Sequence, residues 1–386
     1  MGWIAASAEE IAARAERELE ALVGVSSPSG DAPGAEEVFA IVQALLPARA
    51  AVERVPCSSP EHAPDLVARL AGEGSGRVLL LGHVDTVIGH DEHRPLVREQ
   101  DRLVGSGSVD MKGGDVLAVG VLNALAARAG DYGEAALLLV CDEEWRTAPF
   151  AHVERFADVD ACLCFEAGQL APDGAEAVVV RRKAAGTLHV RATGLSAHSG
   201  SAPDRGRNAL LALAAAAQAV ADAHEPTGPD RLTAVPTVLN SGEAFNVVPS
   251  GGELFCDLRA DRLDAFDGVA ARVPGEVGGA ELHTELIRLW PSMDARAATA
   301  PVLERAGALL GRPIIGAGRG GASDAAHFAS AIPVTVDGLG PRGGGAHAPH
   351  EYVLRASLRA GGRRGLPSFS LARTLHRRST CAISAA

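Results

Sequence analysis

The residues best suited to chemistry in this chain follow apolar runs of strand length. Residues 78–81 are Val-Leu-Leu-Leu, and Gly82 then leads to His83 and, two residues later, to Asp85. Parallel strands that are buried on both faces typically have such an apolar sequence. Open α/β sheets bind ligands beyond the carboxyl ends of their strands. On extended backbone both side chains share one face, so His83 could bind a metal while Asp85 holds its other ring N–H. Taken alone, however, His83 and Asp85 could simply be polar residues of a loop.

Acidic residues end three further segments. The acid run Asp142-Glu143-Glu144 follows the apolar residues 135–141, and Glu166 follows the apolar residues 161–165. Asp110 lies in a Gly-rich loop before an apolar helix. Acid runs usually mark solvated faces, and an aspartate in such a loop can simply cap the helix. The repetition of acids and a histidine at strand ends nevertheless indicates a shared site.

Together these donors could hold two metal ions. Two metals about 3.5–4 Å apart that share a bridging carboxylate can polarise a carbonyl group and activate a water. Five candidate ligands are present: His83, Asp110, Glu144, Glu166 and His347. Glu143 then stays unligated and can move the proton of the water. The set contains no cysteine, which fits an open catalytic site better than a closed structural zinc site.

Length and composition limit the number of domains and the classes of function that the chain can have. A chain of 386 residues predicts two domains or one domain with a large insertion. The formal net charge of −12 argues against a nucleic-acid surface, which needs a basic face. The six cysteines form no C-x-x-C pair, and neither a signal peptide nor a run of membrane-spanning length is visible. We therefore expect a cytoplasmic protein that binds neither nucleic acid nor membrane.

Hydrophobic periodicity predicts an α/β domain that carries an insertion. Helical spacing near the N-terminus and several apolar runs predict a mixed, mostly parallel sheet flanked by helices. From about residue 177 the order becomes β-α-β-β-α-β, which predicts a separate α+β unit. The predicted catalytic domain comprises residues 1–178 and 293–386, and the inserted domain comprises residues 179–292.

The chain resembles the co-catalytic zinc metallopeptidase family 20, which includes glutamate carboxypeptidase, acetylornithine deacetylase, succinyl-diaminopimelate desuccinylase and aminoacylase. The likeness runs from about residue 28 to residue 353, and glutamate-carboxypeptidase-like members are the nearest. Its strongest motifs are Gly82-His-Val-Asp-Thr-Val, Gly107-Ser-Val-Asp-Met-Lys-Gly-Gly, Asp142-Glu-Glu, Phe165-Glu166 and Gly-Gly-Gly-Ala-His347-x-x-x-Glu351.

The resemblance implies two zinc ions, with Co2+ or Mn2+ as alternatives. The implied ligands fall into two sites with one bridge, namely His83 with Glu166, Glu144 with His347, and Asp110 between them. Asp85 would orient His83, and Glu143 would be the general base. His350 is a weaker competitor for the place of His347.

The resemblance also implies that the inserted domain is a lid and dimerisation domain, so a homodimer is expected. His198, in a Ser-Ala-His-Ser-Gly version of the family's Ala-His-Ala-Gly motif, would reach the active site of the partner subunit as an oxyanion donor. Asn246 and Arg259 would bind the carboxylate of the substrate, for which the arginine fork is suited. Backbone groups of Gly320 and Gly321 would line the pocket.

These features predict a zinc-dependent hydrolase that cleaves an amide (peptide) bond next to a free carboxylate, as a glutamate carboxypeptidase does. A metal-bridged water activated by Glu143 would attack a small peptide. An N-acyl-amino-acid deacylase is the alternative, and an inactive metal-binding protein is disfavoured because the base and all five ligands are present. A nucleophilic triad of Ser323, Asp324 and His327 is disfavoured because the chain has no G-x-S-x-G elbow.

The C-terminal tail departs from the family. Residues 354–386 contain seven arginines and no acid, where relatives usually end in an amphipathic helix. A frameshift near residue 355 is one hypothesis, since GC-rich DNA read out of frame yields such text. A basic interaction segment with poor order is the alternative.

Overall fold

The computed structural model describes residues 2–358, so the Arg-rich tail beyond residue 358 lies outside the described residues. The chain divides into two compact units. The first unit comprises residues 2–181, 294–318 and 323–358, and the second comprises residues 182–293 and 319–322. Within the described part of the chain, no helix combines the length and the apolar character needed to cross a membrane.

The helices and strands of residues 2–358 are numbered in chain order. The helices are α1 (Gly2–Val23), α2 (Ala32–Leu45), α3 (Gly113–Ala126), α4 (Ala209–Ala221), α5 (Ala265–Ala270), α6 (Arg296–Leu310) and α7 (Ala325–Phe328). The strands are β1 (Ala51–Val55), β2 (Asp65–Ala71), β3 (Arg77–His83), β4 (Val97–Glu99), β5 (Arg102–Val104), β6 (Glu134–Val140), β7 (Ala161–Cys164), β8 (Gln169–Leu170), β9 (Glu176–Arg182), β10 (Ala184–Thr193), β11 (Thr233–Ser241), β12 (Gly251–Ala260), β13 (Glu276–Val277), β14 (Ala280–Trp290), β15 (Met293–Asp294), β16 (Ile315–Arg319), β17 (Val334–Val336), β18 (Gly343–Gly344) and β19 (Tyr352–Leu354).

The main sheet of the first unit has six strands in the order β1-β2-β6-β3-β7-β17. Strands β6, β3, β7 and β17 are parallel, whereas β1 and β2 join the sheet antiparallel. The apolar runs form its centre because Val, Leu and Ala side chains there are buried on both faces. The predicted mixed, mostly parallel sheet is confirmed.

Helix α1 starts at Gly2, in the N-terminal stretch that has helical spacing. The helix extends because Ile4 and Ala8 continue its apolar face and are both buried. Further along the same face, Ile11 lies so close to Gly120 of α3 that a Cβ on the glycine would come within 2.9 Å of it. The glycine thus permits the close approach of α1 to α3.

A small antiparallel sheet, β18-β19-β5-β4, shapes the loop that carries Asp110. Strand β19 pairs with β5, and the amide of Gly105 donates to the carbonyl oxygen of Glu351 at 2.9 Å. The segment after β5 is therefore held beside the segment that precedes β19. The two family motifs on these segments lie far apart in the sequence and are joined by this pairing.

The second unit contains a five-stranded antiparallel sheet in the order β11-β12-β10-β14-β13. Its core joins strand residues such as Leu188 and Leu258 to helix residues such as Leu213 of α4 and Phe266 of α5. The elements β10, α4, β11, β12, α5 and β14 follow the predicted β-α-β-β-α-β order, with the short β13 as an addition.

Candidate active site

Parallel strands bring the first candidate residues together. Strands β3, β6 and β7 are neighbours, and in the β3–β6 pairing His83 lies opposite Val140. The residues that follow these strands therefore meet at one edge of the sheet. Asp85 follows β3, the Asp142–Glu144 run follows β6, and Glu166 follows β7.

Asp110 lies between the two histidines. Its Oδ1 is 3.4 Å from Nε2 of His83, and its Oδ2 is 3.1 Å from Nε2 of His347. Glu166 Oε1 lies 3.7 Å from the same nitrogen of His83, and Glu144 Oε2 lies 3.2 Å from that of His347. Each histidine thus faces one carboxylate of its own and one oxygen of Asp110.

The donor set fits two metal ions. Nε2 of His83 is buried and has no hydrogen-bond partner within residues 2–358, although two carboxylates face it. The nearest oxygens of Asp110 and Glu144 and a ring nitrogen of His83 all lie within 4.8 Å of one another. Imidazole nitrogens and carboxylate oxygens are ordinary zinc ligands, and a carboxylate that offers one oxygen to each side can serve as a bridge.

Asp85 organises both sides of this arrangement. Its Oδ1 lies 3.2 Å from Nδ1 of His83, opposite the nitrogen that faces Asp110. The backbone N–H groups of Glu143 and Glu144 donate to its two oxygens at 3.2 and 3.0 Å. The carbonyl oxygen of Asp85 lies 3.1 Å from the same Nδ1. Asp85 therefore orients the imidazole of His83 through its backbone and its carboxylate, and the carboxylate also fixes the position of the acid run.

Glu351 holds the loop of Asp110, a role that sequence reasoning missed. Its buried carboxylate accepts hydrogen bonds from the amides of Gly107 at 2.9 Å, Val109 at 2.6 Å and Asp110 at 2.9 Å. The family motif included Glu351 without giving it a partner. Its spacing from His347 was the available signal, since one short segment then supplies both a ligand and the support of the bridge.

A buried arginine was also missed. Arg146 donates from Nε and Nη2 to Asp142 at 3.2 and 2.8 Å, and from Nη1 and Nη2 to Asp324 at 2.6 and 2.7 Å. Asp142 in turn accepts from the amide and hydroxyl of Ser59 at 2.9 and 2.7 Å. Asp142 is thus structural, and the i,i+4 spacing of Arg146 from it was the one sequence signal. We call Asp142, Arg146 and Asp324 the arginine clamp.

The acids of the site differ in their electrostatics. Although burial opposes it, the contacts with His347 and His83 hold the pKa of Asp110 well below its usual value. The same contacts with Asp110 and Glu144 raise the pKa of His347 to about 11. Burial raises the pKa of Glu143 well above its usual value, and the charge of neighbouring Glu144 adds to this rise. The site therefore attracts positive charge.

His347 also adopts an unusual backbone conformation. Its φ of 63° lies in the left-handed region, which is uncommon for residues other than glycine. Such conformations concentrate at functional sites, where surrounding structure maintains them. Here the turn that follows Gly345 directs the half-exposed imidazole towards Asp110 and Glu144.

The remaining predicted residues lie in the second unit. The amide of Ser199 donates to the carbonyl of Asn246 at 3.0 Å, so this unit brings the segments of His198 and Asn246 together. Both side chains are exposed. Arg259, on β12, donates to Asp257 of the same strand, with Nη2 at 2.9 Å.

Gly320 and Gly321 belong to a short segment of the second unit, in which the guanidinium of Arg182 donates to the carbonyl of Gly321 at 2.8 Å. Ser323, in the first unit, donates its hydroxyl to Asp337 at 2.6 Å, and His327 stacks on Phe150 with ring centroids 4.8 Å apart. The hydroxyl of the serine therefore has a carboxylate partner other than Asp324.

Comparisons with known proteins show the family to which the chain belongs. Carboxypeptidase G2 of Pseudomonas sp. (strain RS-16) is 26% identical over 354 residues, which cover 87% of this chain and 83% of that protein. Succinyl-diaminopimelate desuccinylase of Methylobacterium nodulans is 29% identical over 324 residues, covering 75% and 79%. A crystal structure of an M20 family metallo-carboxypeptidase from Sulfolobus solfataricus matches with a TM-score of 0.68 at 17% identity, covering 94% of this chain and 99% of that one. The model of peptidase family M20/M25/M40 matches residues 79–364, and the chain belongs to this family of hydrolases.

Proposed function

We propose that this M20-family hydrolase is a di-zinc enzyme that cleaves an amide bond next to a free carboxylate. The observation that carries the proposal is the placement of Asp110, whose two oxygens face His83 and His347 at 3.4 and 3.1 Å. His83 and Glu166 would hold one zinc ion, Glu144 and His347 the other, and Asp110 would bridge them. Bound there, the ions would polarise the scissile carbonyl and make water more acidic.

Glu143 is the proposed general base. Its backbone is held by Asp85, and its neighbour Glu144 is turned towards His347. The Glu143 carboxylate takes a proton from the attacking water as the new carbon–oxygen bond forms. It then gives that proton to the amide nitrogen as the carbon–nitrogen bond breaks, so the amine leaves neutral and the base is restored. A raised pKa suits a group that must both accept and return a proton.

Arg259 and Asn246 are the proposed ligands of the substrate carboxylate. The guanidinium of Arg259 is fixed by Asp257 and remains about one-third exposed, so part of its donor fork is accessible. A pre-oriented arginine loses little side-chain entropy when it binds a carboxylate. Similarity to carboxypeptidase G2 supports a peptide substrate of this type.

We also propose that the protein forms a homodimer through the second unit, with His198 serving the partner subunit's active site as an oxyanion donor. Strand β11 is an edge of its sheet, and Val235, Val238 and Leu239 on that strand are exposed. An exposed apolar edge strand is a natural pairing surface. Sedimentation analysis of Val238→Lys tests this, since the added charge should shift a dimer towards monomer.

An N-acyl-amino-acid deacylase is the second candidate. The observation that favours it is the similarity to succinyl-diaminopimelate desuccinylase over 75% of the chain. Both reactions hydrolyse an amide and would use the same proposed ligands and base. A hydrolysis screen of dipeptides, folate-type conjugates, and N-acetyl and N-succinyl amino acids separates the two by the substrate with the higher kcat/KM.

The decisive experiment measures bound metal and turnover in parallel. Glu143→Gln should retain the same number of metal ions per chain as the wild type and lose a factor of about 10²–10⁴ in kcat, the usual contribution of a general base. Glu154→Gln, at an exposed acid of the same unit, is the matched control and should behave as the wild type. Full activity of Glu143→Gln, or two bound metals with no turnover of any substrate in the screen, would overturn the proposal.

A further inference from the structure

A second group of metal-ligating side chains lies in the first unit, apart from the proposed zinc ligands. Cys57 follows β1, Asp65 opens β2 and Cys141 follows β6. The register explains their meeting: Val55 pairs with Asp65 across β1 and β2, and Leu66 pairs with Leu139 across β2 and β6. One sulfur of each cysteine and one carboxylate oxygen lie within 4.8 Å of one another.

The distance between the sulfurs suits a shared metal ion. The two Sγ atoms are 4.0 Å apart. Two thiolates at about 2.3 Å from a tetrahedral zinc ion would be about 3.8 Å apart, whereas a disulfide bond is about 2.05 Å long. Only a few tenths of an ångström of movement would therefore bring both sulfurs onto one cation.

Asp65 is held in place as a metal-ligating carboxylate usually is. It is fully buried, and its Oδ1 accepts the amide N–H of Cys141 at 3.0 Å. Its Oδ2 lies 2.8 Å from Nε2 of the buried His152. Hydrogen bonds of this kind orient a carboxylate, and each oxygen keeps a second lone pair for a metal.

The charge around the thiols favours a cation over oxidation. Hydrogen bonding with Cys57, burial, and the charge of Asp65 all raise the pKa of the Cys141 thiol. A thiol that stays protonated is slow to form a disulfide, because the thiolate is the reactive species. A divalent cation removes this obstacle, since its own charge stabilises the thiolates and the buried carboxylate together.

We propose that Cys57, Cys141 and Asp65 bind a zinc-type, thiophilic divalent cation, separate from the proposed catalytic pair. On binding, each S–H bond breaks, two sulfur–metal bonds form, and two protons pass to solvent. The S–H of Cys141 now donates to the carbonyl of Ala63 at 3.1 Å, and that hydrogen bond would be given up. Because Cys57 is only partly buried, water can reach the fourth coordination position.

The position of this site gives it a structural consequence. Cys141 directly precedes the Asp142–Glu144 run, and Ser59, two residues after Cys57, donates to Asp142 at 2.9 and 2.7 Å. A cation held by both cysteines would join the same two segments a second time. The site would therefore stabilise the loop that carries the proposed base.

The test uses the full chain, stripped of metal under reducing conditions and titrated with Co2+. A cobalt ion bound by thiolates shows an intense sulfur-to-metal charge-transfer band in the near-ultraviolet, which histidine and carboxylate ligands do not give. We expect three equivalents of Co2+ in the wild type and a band that saturates with one of them. Cys57→Ser and Cys141→Ser should each lose the band and one equivalent.

Cys256→Ser, at a buried cysteine of the second unit, and Cys381→Ser, in the tail, are the matched controls and should keep the band. Cys57→Ser changes a side chain that is only partly buried, so it keeps the test sound if Cys141→Ser fails to fold. No band in the wild type, an unchanged band in Cys57→Ser, or a Cys57–Cys141 disulfide without a third equivalent would overturn the proposal. A band with no hydrolytic activity would support this site while counting against the proposed function.

Discussion

Replacing Arg146 by methionine tests the arginine clamp. The guanidinium makes four hydrogen bonds to Asp142 and Asp324, at distances between 2.6 and 3.2 Å, and both carboxylates are buried. It also lies over the ring of Phe150, 4.7 Å from the centroid. Methionine fills similar volume but leaves two buried carboxylates without their cation.

The expected loss follows from that burial. Removing one partner of a buried ion pair costs about 3–5 kcal/mol, because the remaining charge has lost both water and its counter-charge. Asp142 keeps its two hydrogen bonds from Ser59, so the greater part of the cost falls on Asp324. We therefore expect Arg146→Met to lower the free energy of unfolding by about 3–5 kcal/mol. Adding Asp324→Asn to Arg146→Met should restore about 1–2 kcal/mol of the free energy of unfolding, because the unpaired Asp324 charge is then removed.

Urea unfolding followed by circular dichroism measures these changes. Arg155→Met is the matched control, because Arg155 is exposed and its ion pair with Glu53 is 3.7 Å long, so it should cost less than about 1 kcal/mol. If Arg146→Met costs no more than Arg155→Met, or if its effect simply adds to that of Asp324→Asn, the arginine clamp does not stabilise the fold in this way.

Three further predictions follow from other contacts. Glu351→Gln should weaken metal affinity about tenfold to a hundredfold, because a side-chain amide cannot accept all three backbone hydrogen bonds. A chelator competition assay measures this affinity, and an unchanged value would contradict the supporting role of Glu351. Gly82→Ala should lower the free energy of unfolding in urea by about 1–3 kcal/mol, since the added Cβ would lie 2.1 Å from Asp115 Oδ1. Gly130→Ala is the control and should be nearly neutral, because the space around Gly130 is open. Burial lowers the pKa of His327 to about 4 from an ordinary 6.5, so between these pH values the folded state binds fewer protons than the unfolded state. The free energy of unfolding of the wild type should therefore fall by up to about 3 kcal/mol as the pH is lowered from 6.5 to 4. His327→Leu should lack that part of the loss, and parallel pH profiles of the two proteins would refute this.

Much of the fold was predictable because each central strand is a continuous apolar run that can be recognised from the local sequence. The runs in β3, β6 and β7 are apolar and of strand length, as is typical of strands buried on both faces. Their ends placed His83, Glu144 and Glu166 at one sheet edge without any tertiary information. Strands β1 and β4 escaped notice because their side chains are largely exposed and carry no apolar alternation.

The contacts that support the site were not predictable in the same way. Arg146 and Asp324 are separated by 178 residues, and Glu351 and Gly107 by 244. Nothing in a local pattern selects one partner over another at such separations, since many charged residues offer the same chemistry. Only the folded chain shows that Asp142 binds an arginine while its neighbours face the histidines.

The division of the Asp142–Glu144 run follows from how each charge is balanced. Asp142 is neutralised by Arg146 and hydrogen-bonded by Ser59, which leaves it neither the charge nor the freedom to act as base or ligand. Imidazoles bind metals as neutral groups, so Glu144, which faces His347, would still have its charge to offer to a cation. Glu143 lies between these two, with its amide fixed by Asp85 and a pKa that burial raises. Glu144 has the same held amide and a pKa that burial also raises, but its carboxylate faces His347. Of the three adjacent acids, Glu143 is therefore the one suited to exchanging a proton, and the proposed chemistry depends on it.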